Sequence, residues 1–170
     1  MQQDDDTGLP VRAALHPTGL YLAVRPIDPG ELLDPFMQET IARVPAQDGL
    51  VHVARDRLGH EPASSAPAGV IFNVARCGST LISQSLKQLD VVVYSEPQPV
   101  NELLAPPHLW PRADIVAALR SLGAAFARHA RRRYVLKLSS WNTLYCDIVA
   151  EAFPETPWIL SIRDPLEVGV

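Results

Sequence analysis

The stretch Val70-Ile71-Phe72-Asn73-Val74-Ala75-Arg76-Cys77-Gly78-Ser79-Thr80 decides the fold. Its first five residues form the short apolar run expected of a strand covered on both faces. Residues 75–80 are a turn of mostly small side chains. After it, Ile82, Leu86 and Leu89 recur at helical spacing, which predicts strand, turn, helix. Gly78 lets the backbone turn tightly. The free N–H groups that open the helix, together with its dipole, favour an anion there. Arg76 adds a cation, and Ser79 and Thr80 add hydroxyl donors. The turn is not a Walker A loop: Asn73 stands where that loop has its first glycine, and Ser79 where it has its lysine. No arginine follows Cys77 at the spacing of a cysteine-phosphatase loop, so Cys77 reads as a small turn residue. The plainer alternative is a strand-to-helix turn in which Ser79 or Thr80 only caps the helix.

Working outward, residues 91–94 repeat the apolar strand signature. Residues 114–133 carry Ile115, Leu119, Leu122 and Phe126 on one helical face. Strands follow at 134–138 and 158–162, with a helix at 143–153 stopped by Pro154. Alternating strands and helices predict an α/β domain, a three-layer parallel sheet flanked by helices, over residues 69–170. Upstream the pattern is mixed. Residues 1–8 read as an acidic, solvated tail, and residues 9–68 as a segment of open fold ending in a Pro-rich linker at 61–68. Within it, residues 21–24 and 50–53 could be strands. Asp34 could cap a short helix with Pro35 at its first position.

Three further residues fall at the carboxyl ends of the expected strands, the edge where parallel sheets bind ligands. Glu96, in Ser95-Glu96-Pro97, can serve as a general base; the bland alternative is a surface acid before a proline turn. Lys137 is an ammonium in an apolar strand and needs a partner. A bound anion would be one, unless the side chain simply reaches water. Arg163, in Arg163-Asp164-Pro165, adds a cation or a turn salt bridge. Of the five histidines only His108 remains an acid–base candidate, and none shows metal-ligand spacing. Arg128 and Arg131–Arg133 close a helix, where cations suit the dipole.

Composition narrows the classes. The chain of 170 residues carries 15 Lys+Arg against 19 Asp+Glu, a net charge of −4. The excess acids all fall in residues 1–60. That balance argues against a general nucleic-acid binder. No apolar run approaches a membrane span. The acidic start does not read as a secretory leader, and two cysteines make no disulfide framework. A reduced, cytoplasmic setting is expected.

Together the four segments resemble the P-loop sulfotransferases, which use 3′-phosphoadenosine 5′-phosphosulfate (PAPS) as co-substrate. The family's first signature, [KR]-S-G-[TS]-[TS] between strand and helix, is matched by Arg76-Cys77-Gly78-Ser79-Thr80, with Cys77 in place of serine. The resemblance implies that these five residues hold the 5′-phosphosulfate. The second signature, an arginine in an R-[DN]-P context that contacts the 3′-phosphate, is matched at Arg163. Its serine, eight positions on, would fall just past Val170, so the domain reads as incomplete. Glu96 is similar to the glutamate base of the branch related to protein-tyrosine sulfotransferases. Lys137 resembles that branch's lysine, which steadies the transferring sulfonate; Arg76 would assist. The acceptor would be a small-molecule or peptide hydroxyl or amine, with no metal, nucleic acid or membrane involved. The family's sheet would place strand 134–138 between 70–75 and 91–95, with 158–162 outside 70–75. Two alternatives are a P-loop nucleotide or nucleoside kinase and a non-catalytic anion- or nucleotide-binding relative.

Overall fold

The computed structural model describes residues 7–105, 107–164 and 166. Most of the acidic tail lies outside these residues, as does Pro165. The chain opens with β1 (Leu9–His16) and β2 (Gly19–Arg25), followed by α1 (Met37–Arg43) and β3 (Gly49–Ala54). These strands form an antiparallel sheet in the order β1-β2-β3. The second half runs β4 (Gly69–Asn73), α2 (Ser79–Leu86), β5 (Val92–Ser95), α3 (Gln98–Leu104) and α4 (Arg112–Ala130). It continues with β6 (Tyr134–Lys137), a 3₁₀ turn at Ser140–Tyr145, α5 (Cys146–Ala152) and β7 (Trp158–Ser161). Its four strands pair in parallel in the order β5-β6-β4-β7. The expected α/β architecture and strand order are both present.

Alternation along the parallel strands sorts the two faces. Val70, Phe72, Val92, Tyr94, Tyr134 and Leu136 share one face and are all buried. Phe126 of α4 lies against it, 4.3 Å from the Tyr94 ring by centroids. On the other face Ile71 and Val135 line a cavity with Leu86 of α2. β7 is the edge strand beside β4, opposite the β5 edge, and its Trp158, Ile159 and Leu160 are about half exposed. No helix among the described residues is long and apolar enough to cross a membrane.

Residues 9–68 pack directly on this unit. Leu9, Val11, Leu20 and Leu22 share one buried cluster with Leu104, Ile115, Leu119 and Leu122. The Ala13 N–H donates to Glu102 Oε2 of α3 at 2.7 Å, and the Gly59 N–H to Ser121 Oγ of α4 at 3.1 Å. The strands read at 21–24 and 50–53 are present within β2 and β3. β1 was not anticipated: Pro10 and the pair Ala13-Ala14 weaken its signal. A register shift between Pro10 and Arg12 fits the proline into an edge strand, where its missing N–H costs no ladder bond.

Three local readings are corrected. Asp34 does not cap α1; Phe36 occupies the N-cap position in an extended conformation, and Pro35 lies outside the helix. The Asp34 carboxylate instead accepts from Thr40 Oγ1 at 2.5 Å and Arg43 Nη1 at 2.6 Å. Pro97-Gln98-Pro99 is not a plain turn but opens α3, with proline in the first turn where no N–H is needed. α4 runs from Arg112 to Ala130 and ends at Arg131, whose φ of 55° breaks the helical path.

Candidate functional site

β4, β5 and β6 deliver their carboxyl ends to one edge, and each end carries a residue singled out from sequence. At the end of β5, Ser95 is buried and pairs in register with Lys137 of β6. The chain then turns at Glu96, which takes a φ of 53°. A non-glycine residue in this region costs on the order of 1 kcal/mol or more and persists only when its surroundings hold it. What holds Glu96 is its carboxylate: Lys137 Nζ donates to Oε1, and Ser139 Oγ to Oε2 at 3.4 Å. The Glu96 N–H also donates to the Lys137 carbonyl at 2.6 Å.

Lys137 is 1% exposed. The partner that the structure gives its ammonium is Glu96, not solvent. The Phe36 ring covers it from another side, with Nζ 5.4 Å from the ring centroid. Ser139 is held in turn: Asn142 Oδ1 accepts from the Ser139 N–H at 3.0 Å. Two buried polar atoms nearby in the chain, Ser95 Oγ and Asn142 Nδ2, have no hydrogen-bond partner. Such orphans are uncommon in folded proteins and mark places where a water or ligand group fits.

The turn after β4 is built separately. Asn73 Nδ2 donates to the Leu138 carbonyl at 2.6 Å, and Thr143 Oγ1 to the Asn73 carbonyl at 2.9 Å, tying β4 to the turn after β6. Arg76 and Gly78 take φ of 57° and 88°. A Cβ on Gly78 would meet no atom within 4 Å, so backbone conformation, not space, requires glycine there. Gly78 is the N-cap of α2, and its carbonyl accepts from Leu81 and Ile82. Arg76 and Gly78 are exposed, Ser79 is buried, and Thr80 is half-buried. Burial opposes ionisation of the Cys77 thiol. Hydrogen bonds from the Ser161 hydroxyl and from the Ser79 N–H and hydroxyl outweigh it, holding the thiol below its ordinary value. The Ser161 hydroxyl of β7 also donates to the Cys77 carbonyl at 3.4 Å, tying the turn to the neighbouring strand.

Arg163 follows β7 at the same edge and is exposed. The structure therefore brings Glu96 and Lys137 into direct contact, with residues 76–80 and Arg163 placed after the neighbouring strands. His108 is exposed in the turn Pro107–Leu109. Among the described residues there is no group of three or more His, Cys, Asp or Glu side chains able to hold a metal.

Two members of the cluster were missed from sequence. Ser139 is one of two serines after the strand, and its residue type alone carries no signal. Phe36 comes from the segment whose fold was left open, and nothing in its own surroundings in the sequence signals it. Compared with family models, curated proteins and solved structures, the chain matches none.

Proposed function

We propose that the chain is a PAPS-dependent sulfotransferase-like protein that passes a sulfonate group to a hydroxyl or amine acceptor. The observation that carries this reading is the Glu96–Lys137 contact at the ends of β5 and β6, beside an anion-suited turn and helix N-terminus after β4. The Gly78, Ser79 and Thr80 amides and Arg76 would cradle the phosphosulfate, and Arg163 would meet the 3′-phosphate. Glu96 would accept the proton of the acceptor O–H or N–H as its heteroatom bonds to sulfur. The bond between sulfur and the bridging oxygen breaks, and the electron pair leaves on the phosphate. Lys137, released from full pairing as Glu96 gains the proton, would neutralise charge on the sulfonate oxygens.

The test is calorimetry with adenosine 3′,5′-bisphosphate together with a transfer assay. Arg76→Ala should weaken binding by about tenfold or more. Glu96→Gln should leave donor affinity nearly unchanged and lower transfer by about 10²–10⁴-fold. If the unaltered chain shows no bisphosphate binding, the reading is wrong. The double engagement of Glu96 by Lys137 and Ser139 favours one second reading, a non-catalytic anion-binding module. Binding without transfer to any alcohol, phenol or amine would select it.

A further inference from the structure

The chain contains two lysines, Lys87 and Lys137. Both ammonium groups end on the same short segment of the N-terminal part. Lys87, at the end of α2, donates to the Asp34 carbonyl, and burial pushes its amine below the ordinary value. Lys137 lies under the Phe36 ring. The Asp34 carboxylate is fixed to α1 through Thr40 and Arg43, and Phe36 is extended, with φ −126° and ψ 140°. Residues 34–36 are thus a strap clamped to the parallel-sheet unit by the two lysines.

An aromatic face attracts a cation without accepting its proton and without cancelling its charge. Glu96 does the opposite: it neutralises the ammonium and loses its hold once it is itself protonated. We infer that Phe36 is a positioning residue of this site, keeping the Lys137 ammonium dry and aimed while Glu96 takes up the acceptor's proton. This inference rests on the sulfonate-transfer reading and gives residues 9–68 a part in it.

Two lysines make the test direct. A chain carrying lysine labelled with ¹³C at Cε gives two resolvable methylene signals. The Lys137 signal should be displaced upfield by the ring current in the unaltered chain and in Phe36→Tyr. It should lose that displacement in Phe36→Leu, while the Lys87 signal stays in place. In the transfer assay Phe36→Leu should lower kcat about tenfold with donor KM within about twofold, and Phe36→Tyr should restore it. The role is overturned by an undisplaced Lys137 signal in the unaltered chain. It is equally overturned if both lysine signals move together in Phe36→Leu, because the strap has then simply come loose. Equal loss of turnover in the leucine and tyrosine variants also overturns it. Absence of bisphosphate binding in the unaltered chain is a different failure: it removes the sulfotransferase reading and the transfer role of Phe36 with it. Failure of Phe36 alone leaves that binding intact.

Discussion

Two buried polar clusters sit on opposite faces of the same two strands, β5 and β6, and they are finished to different degrees. On the α4 face, His129 is 2% exposed and bonded at both ring nitrogens: Nε2 to the Ile27 carbonyl at 2.7 Å, Nδ1 to Tyr94 Oη at 2.6 Å. A carbonyl can only accept, so Nε2 carries the proton, and Nδ1 of the neutral ring accepts from the Tyr94 hydroxyl, whose single proton is shared with the Phe126 carbonyl at 3.1 Å. On the α2 face the next residues along the strands are Ser95 and Lys137; Lys137 and Ser139 both donate to Glu96, yet Ser95 Oγ has no partner. The satisfied cluster locks β5 to α4 and to the N-terminal segment. The unfinished one lies at the carboxyl ends of β5 and β6, the sheet edge where the turns carrying Arg76 and Arg163 follow β4 and β7. A fully satisfied network rigidifies; an incomplete one leaves polar groups that a water or a ligand group can still meet.

The largest expected effect breaks the unfinished cluster. Lys137→Ala removes a buried ammonium, leaves Glu96 unpaired and opens a void. It should cost about 3 kcal/mol of stability, read as a lower denaturant midpoint. Lys137→Met keeps volume and packing against Phe36 and should cost clearly less. Equal losses in the two variants would mean that packing, not charge, is what Lys137 supplies.

The satisfied cluster should show itself through pH. Burial holds the His129 imidazole below its ordinary value of 6.5. The unfolded chain therefore binds more protons than the native one in the window below pH 6.5. Stability should rise with pH through that window and level off above it. The slope for one such proton is at most about 1.4 kcal/mol per pH unit. His129→Gln should flatten the profile, as followed by urea unfolding between pH 5 and pH 7. A slope that survives the substitution would place the titration elsewhere.

The two clusters also differ in how far the sequence revealed them. The parallel sheet was legible because residues 70–74, 91–94, 134–138 and 158–162 are apolar runs separated by helical patterns. Glu96 and Lys137 were legible one at a time, as charges at strand ends. Their contact was not, because strand order is needed to bring β5 beside β6, so the sequence leaves Lys137 between a bound anion and water. Phe36 was out of reach. Its position over Lys137 depends on an extended segment before α1, where local signals favoured a helix cap at Asp34. His129 lies in sequence among Arg128 and Arg131–Arg133, which mark a basic helix end. Only the fold reveals that it faces inward, between Tyr94 and Ile27.

The smallest effect discriminates most sharply between a site and a flaw in packing. Ser95 is 1% exposed, and its hydroxyl carries an unspent donor and acceptor. Removing an orphaned buried hydroxyl relieves its desolvation cost and opens only a small void. Ser95→Ala should therefore leave stability unchanged or raise it by up to about 1 kcal/mol. If the hydroxyl serves a ligand, the same change should weaken adenosine 3′,5′-bisphosphate binding several-fold while the fold gains or holds. Higher stability with lower affinity is the signature of a group kept for function. A loss of more than about 1 kcal/mol would instead show that the hydroxyl already bonds a structural water. The α2-face cluster would then be as complete as the one around His129, and the contrast between the two faces would disappear.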